Sequence, residues 1–151
     1  MNTLKVGDAI PNITVNDEAG NAISLSNYKG KKLAVFFYPK ASTPGCTAEA
    51  CNLRDHYKEL QSKGYEILGV SADSEKRQSN FKNKYKFPFP LLADEDKKVI
   101  NAFGVWGQKK FMGRTYDGIH RMTFVFNEDG LVERVIDKVK TKDHAAQILE
   151  A

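Results

Sequence analysis

The sequence predicts an α/β fold, with a central mixed β-sheet flanked by helices and a small β-hairpin ahead of it. Three observations predict it. The run "KLAVFFYP" is continuously apolar, aromatic and β-branched between a Lys and a Pro, the pattern of a buried central strand. After it, segments of strand-like and helical apolar spacing alternate. Finally, "RMTFVFNEDGLVERVI" places two strand runs around Asn127-Glu128-Asp129-Gly130, a hairpin signal.

The elements follow in order. "NITVNDEAGNAISL" reads as two short strands about a turn at Glu18-Ala19-Gly20-Asn21. The central strand comes next. From Pro44 to about Lys63 the apolar residues fall at Ala50, Leu53, Tyr57 and Leu60, one helical face, and Gly64 is a natural stop. "YEILGVSAD" is a second buried strand, and Ser74 to Tyr85 a helix with Phe81 and Tyr85 at i, i+4. "FPLLAD" gives a short strand, and "DKKVINAFG" a short helix ending at Gly104. The stretch between Gly104 and Arg121 reads as a long loop in which Trp106 packs. After the hairpin, "DHAAQILEA" closes the chain as a helix opened by Asp143. The order β-α-β-α-β-β-α, with additional pieces, is that of a thioredoxin-like domain.

A length of 151 residues suits one domain, residues 1–151, with a real core. The start "MNTLKVGDAI" lacks the features of a secretory signal, and the longest apolar run, "LAVFFY", is too short to span a bilayer. A soluble cytoplasmic protein without membrane partners is expected. The net charge is +4, but the lysines sit in small groups broken by acids and apolar residues. That describes a solvated surface and not the clustered stripe of a nucleic-acid binder. A zinc site takes about four ligands. Two cysteines and three scattered histidines, His56, His120 and His144, do not supply one, and the histidines read as surface residues. No metal site is expected.

Both cysteines lie in "YPKASTPGCTAEAC". In a reducing compartment a permanent staple is uncommon, so redox chemistry leads. Thr43 reads as a helix N-cap with Pro44 at N1, Gly45 at N2 and Cys46 at N3. A sulfur there lies among unpaired N–H groups at the positive end of the helix, which favours thiolate over thiol. Cys51 is five residues on. In a regular helix that separates the two Cα atoms by about 8.6 Å, whereas a disulfide needs about 7 Å or less. Either the two sulfurs never bond, or the helix start must unwind when they do.

The string "FFYPKASTPGCTAEACNLRD" resembles the peroxiredoxins, and within them the bacterioferritin comigratory protein branch, or Q type. Pro39, Thr43 and Cys46 stand in the P-x-x-x-T-x-x-C arrangement of that family. "LKVGDAIPNITVND", "LGVSADS", "FPLLAD" and "VWGQKKFMGRTYDGIHRMTFVFNEDG" extend the similarity over nearly the whole chain; "KAS" before Thr43 departs from the commoner acidic version. The resemblance implies that Cys46 is the peroxidatic nucleophile and Cys51 the resolving cysteine. It makes Thr43, the Cys46 N–H and Arg121 donors to the peroxide oxygens, Pro39 a shield against water, and Glu49 the acid that orients Arg121. It further implies hydroperoxide substrates, thioredoxin or a similar dithiol as reductant, no cofactor, and a monomer. Two other readings on the same fold are a general thiol–disulfide oxidoreductase and a redox-sensing binding protein. The first is disfavoured because such enzymes use C-x-x-C; the second would react once and stop.

Overall fold

The computed structural model describes residues 1–150. Strands β1 (Thr14–Asn16) and β2 (Ala22–Ser24) form the expected N-terminal hairpin. Next come β3 (Lys32–Phe37), α1 (Pro44–Asp55), α2 (Tyr57–Ser62), β4 (Tyr65–Ser71), α3 (Glu75–Tyr85) and β5 (Leu91–Ala93). The chain ends with α4 (Lys98–Phe103), β6 (Trp106–Phe111), β7 (Arg114–Ile119), β8 (Met122–Phe126), β9 (Val132–Ile136) and α5 (His144–Leu149). The main sheet has the order β5-β4-β3-β8-β9. Its β3, β4 and β5 are parallel, β8 runs antiparallel to β3, and β9 runs antiparallel to β8. This is the mixed, helix-covered sheet of a thioredoxin-like fold.

Strand β3 is central because both of its faces are apolar. Successive side chains point to opposite sides of a sheet. Leu33, Val35 and Phe37 accordingly enter one core with Val99, Ile100 and Phe103 of α4. Ala34, Phe36 and Tyr38 enter a second with Ala50 and Leu53 of α1, Phe81 of α3 and Ile148 of α5; Cys46 belongs to this second core. Gly69 of β4 lies opposite Phe36, and a Cβ there would stand 2.8 Å from both Phe36 Cζ and Leu91 Cδ2. Gly69→Ala is therefore expected to cost about 1–3 kcal/mol of stability through overpacking. Urea unfolding checks this; an unchanged midpoint would mean that this sheet face is loosely packed.

Register positions the site. Phe37, the last residue of β3, pairs with Met122, the first of β8. The antiparallel β8 thus begins where β3 ends, and Arg121 arrives beside the loop that leads into α1. In open α/β sheets, crevices beyond the carboxyl ends of parallel strands are the usual ligand sites.

Two expectations from the sequence are corrected. The helix predicted from Pro44 to Lys63 is broken at His56 (φ −109°, ψ 15°). The Asn52 carbonyl there accepts from the His56 N–H at 3.2 Å and also lies 2.9 Å from His56 Nδ1, so a side chain competes within the helical ladder. The loop predicted between Gly104 and Arg121 contains the β6–β7 hairpin, turning at Met112 and Gly113 with φ of 50° and 78°. Helix α5 opens at Asp143 as expected, without a side-chain capping bond among the described residues.

Candidate active site

Helix α1 begins as the sequence predicts, with Thr43 extended and Pro44 in the first turn. The first helical bond runs from the Thr47 N–H to the Thr43 carbonyl at 2.9 Å. Cys46 therefore lies in the first turn, whose N–H groups have no i−4 partner in the helix. The Thr43 hydroxyl does not cap these groups; it donates to the Lys40 carbonyl at 2.7 Å. That corrects two expectations at once. A hydroxyl has a single proton, so Thr43 in this rotamer offers an incoming peroxide lone pairs and not a donor.

The loop before α1 is held from below. Ser42 takes a left-handed φ of 66°, which a residue with a Cβ adopts only under constraint. The constraint is the buried Asp73: its Oδ2 accepts from the Ala41 N–H at 2.7 Å and from the Ser71 hydroxyl at 2.7 Å. Asp73 was not singled out in the sequence. It follows a buried strand by two residues, a position where an acid usually means only a strand end.

Cys46 is 1 % exposed, so a peroxide has to present its O–O end first. Arg121 Nη2 donates to Cys46 Sγ at 3.3 Å, while Arg121 Nη1 donates to Glu49 Oε1 at 2.7 Å. One planar guanidinium thus bridges the sulfur and a carboxyl group, a geometry that suits Arg and not Lys. Gly45 leaves room for it, since a Cβ there would stand 3.2 Å from Arg121 Nη2. Burial opposes the Arg121 charge, but Glu49 and Cys46 outweigh it and raise its pKa. Glu49 is wholly buried. Burial pushes its pKa up to about 7 against the pull of Arg121.

Of the residues singled out in the sequence, Cys46, Arg121 and Glu49 are brought into direct contact. Thr43 stands at the mouth of α1. Half-buried Pro39 lines a groove of about 410 Å³ with Trp106, Lys109 and Tyr116. Lys109 donates to the Ile119 carbonyl at 2.9 Å, and its pKa is lowered by burial and then by Arg121. Cys51 is partly buried further along α1, and both thiols are free. Burial raises the Cys51 pKa, Arg54 opposes this and Asp55 adds to it.

The histidines divide differently from the expectation. His56 is exposed and His120 half-buried, but His144 is wholly buried. It lies 2.6 Å from Thr123 Oγ1, 2.8 Å from Gln147 Oε1 and 3.5 Å from Glu49 Oε2. Thr123 and Gln147 satisfy the two nitrogens of a ring that the sequence alone suggested was solvated.

Residues 6–135 match the AhpC/TSA family. The chain belongs to that family. A putative peroxiredoxin of Haemophilus influenzae is 49 % identical over 150 residues, covering 99 % of this chain and 97 % of that protein. Peroxiredoxin Bcp of Escherichia coli K12 is 47 % identical over 149 residues, covering 99 % and 96 %. Among solved structures, a bacterioferritin comigratory protein of Xanthomonas campestris, described for its alkyl peroxide reduction activity, superposes with a TM-score of 0.86. It is 36 % identical, with 94 % of this chain and 95 % of that one covered. A mutant peroxiredoxin Q of Xylella fastidiosa reaches a TM-score of 0.92 at 29 % identity, covering 99 % and 95 %. The resemblance to peroxiredoxins of the bacterioferritin comigratory branch thus holds over nearly the full length.

Proposed function

We propose that the chain is a thiol peroxidase that reduces hydrogen peroxide and organic hydroperoxides, recycled by thioredoxin or a similar dithiol. The observation that carries this reading is the Arg121 guanidinium on Cys46 Sγ at the start of α1. A cation and free N–H groups beside one sulfur favour the anionic nucleophile. The Cys46 thiolate attacks one peroxide oxygen; the O–O bond breaks, and the sulfur becomes a sulfenic acid. The departing alkoxide or hydroxide takes a proton and leaves as alcohol or water. Charge shifts from sulfur to the distal oxygen, so donors fixed near both lower the barrier. Arg121 and the Cys46 N–H serve as those donors, and the Thr43 oxygen accepts the peroxide hydroxyl. Pro39 covers the sulfur from water.

Cys51 then attacks the sulfenic sulfur, forming the disulfide and releasing water. Both residues lie in α1 at a helical spacing too wide for a bond, so the helix start unwinds first. Local opening of this kind costs far less than global unfolding. While α1 is intact, burial keeps Cys51 protonated; unwinding exposes it. An external dithiol reduces the disulfide by exchange. The reading takes residues 1–151 as one cytoplasmic domain working as a monomer without a cofactor.

The test is peroxide consumption coupled to thioredoxin oxidation over many turnovers; a single stoichiometric oxidation would contradict it. In Cys51→Ser, the first equivalent of peroxide is expected to react at the wild-type rate, with no recycling by thioredoxin. If the first step slowed as severely as in a Cys46 variant, this division of labour would be wrong.

A further inference from the structure

The reaction as described leaves a buried titratable group unused. His144 of α5 is wholly buried behind Glu49, against Oε2, whereas Arg121 holds Oε1. Its tautomer follows from its neighbours. The Gln147 amide is oriented by two backbone bonds: Nε2 donates to the Lys138 carbonyl at 2.9 Å, and Oε1 accepts from the Lys140 N–H at 2.9 Å. Gln147 Oε1 therefore faces His144 Nδ1, at 2.8 Å, as an acceptor. Nδ1 must carry a hydrogen. In the neutral ring, Nε2 then bears a lone pair, which faces Thr123 Oγ1 at 2.6 Å and Glu49 Oε2 at 3.5 Å.

Glu49 Oε2 is buried and has no hydrogen-bond partner among the described residues. With Glu49 ionised, an anionic oxygen and a nitrogen lone pair confront each other, and neither is satisfied by the other. A buried orphan of this kind is costly. One added proton resolves it. On Oε2, it leaves Oε1 free to accept from Arg121, and a contraction of about half an ångström brings O–H···N into bonding range. The Thr123 hydroxyl is a rotor, so the lone pair can serve either donor.

We propose that His144 is a positioning residue of the peroxide site: its Nε2 lone pair holds a proton carried by Glu49 and thereby decides whether Arg121 faces one anion or two. With the proton in place, Glu49 Oε1 accepts from the guanidinium as a neutral carbonyl, and the Cys46 sulfur is the one anion that Arg121 faces. Without it, the same cation is divided between sulfur and carboxylate. The inference rests on the peroxidase reading and adds a proton site behind it.

Other charges do not displace this pair. The titratable groups facing Glu49 are Cys46 on its own helix, Arg121 ahead of β8 and His144 on α5; Thr123 of β8 contributes a hydroxyl. Beyond Arg121, His120 and Asp137 line a hollow of about 380 Å³, and Lys109 of β6 lies within the field of Arg121 and Cys46. The shifts of the pair agree with the geometry. Burial takes Glu49 up to about 7. It takes His144 down to about 4, with Gln147 opposing and Arg121 reinforcing. Between about pH 4.5 and 6.5, folding thus places on the carboxyl group the proton that the unfolded chain holds on the imidazole.

Stability follows with opposite signs. Glu49, raised from 4.5, contributes stability below about 4.5 that is lost as pH rises through about 7. His144, lowered from 6.5, contributes stability above about 6.5 that is lost as pH falls through about 4. Between about 4.5 and 6.5 their pH dependences nearly cancel, because folded and unfolded chains hold the same number of protons on the pair.

The test uses the full chain and follows oxidation of Cys46 by hydrogen peroxide in the first turnover, as a function of pH. In Glu49→Gln the charge is fixed at zero. The wild-type rate constant divided by that of Glu49→Gln is expected to fall as pH rises through about 7. Glutamine at position 144 offers an N–H that an ionised Glu49 can accept, which the histidine tautomer does not. His144→Gln should therefore move that fall about one pH unit lower. Superimposable wild-type and His144→Gln profiles would overturn the role of His144 alone; absence of peroxide reactivity in the wild type would refute the peroxidase reading instead. Nitrogen-15 NMR of the histidine-labelled wild type needs no variant to fold. It should show Nδ1–H and a bare Nε2 in His144 from pH 5 to 8, with the Nε2 shift moving near pH 7. A protonated Nε2 in that range would overturn the proposal.

Discussion

Cys46→Ser is expected to abolish peroxide turnover, leaving no burst and no disulfide. Serine is close to isosteric, and its hydroxyl can still accept from Arg121, which lies 3.3 Å from the native sulfur. The fold should therefore survive, with unfolding midpoints close to wild type. What is lost is the nucleophile: an alcohol is not ionised near neutrality, and the nearest groups cannot replace it. Cys51 is partly buried in the same helix, its thiol held protonated. Stopped-flow peroxide consumption checks the result, with thermal unfolding as the control for folding. Residual turnover above a small fraction of wild type would mean that another residue carries the first step.

Arg121→Ala is expected to slow oxidation of Cys46 by roughly 10- to 1000-fold, the scale of losing one oxyanion donor. Two effects add. The sulfur loses its cation, and the departing oxygen loses a charged donor. Glu49 is also left unpaired in a wholly buried position. A buried charge without its partner would cost several kcal/mol, so Glu49 takes up a proton instead, as its value near 7 already foreshadows. The variant should therefore fold, with a stability that falls more steeply as pH rises above neutrality. Arg121→Lys should recover only part of the rate, because one ammonium cannot bridge Cys46 and Glu49 in the way the guanidinium does. An unchanged rate in Arg121→Ala would remove this residue from the chemistry.

The fold was legible where burial imposes a period. Strand β3 is apolar on both faces because both are covered, and its run "KLAVFF" says so. The hairpin β8–β9 was legible for the same reason, with a turn whose Asn127 side chain accepts from the Asp129 and Leu131 N–H groups. The β6–β7 hairpin was not, because nearly all its side chains are exposed or half-exposed and no alternation is enforced. Phe111 and Met112 at its tip are 65 % and 87 % exposed, so apolar character there signals nothing about burial. Helix α1 was read correctly at its start, where Thr-Pro-Gly is local chemistry. It was not read at His56, where a side-chain contact to the Asn52 carbonyl interrupts the ladder.

The site was half legible in the same sense. Cys46 could be argued from the helix start alone, and Cys51 from its spacing. Arg121 lies 75 residues from Cys46, and only the register Phe37 to Met122 brings it there; without the family motif it reads as a strand-leading arginine. Glu49 has one signal, its place one turn after Cys46, and no local pattern reveals its burial. His144 misled because a polar residue at the start of a short helix is normally solvated. Its burial is set by the docking of α5 on α1, where Asn52 accepts from the Ala145 N–H at 2.8 Å and donates to the Lys142 carbonyl at 3.0 Å.

The most direct test is peptide-level mass spectrometry of the reduced wild-type protein quenched after one equivalent of hydrogen peroxide. The expected product has lost two hydrogens and contains a Cys46–Cys51 bond, which an intact α1 cannot accommodate. An oxidised Cys51 beside an untouched Cys46, or a stable product with no bond between them, would contradict a first attack at the helix start followed by its unwinding.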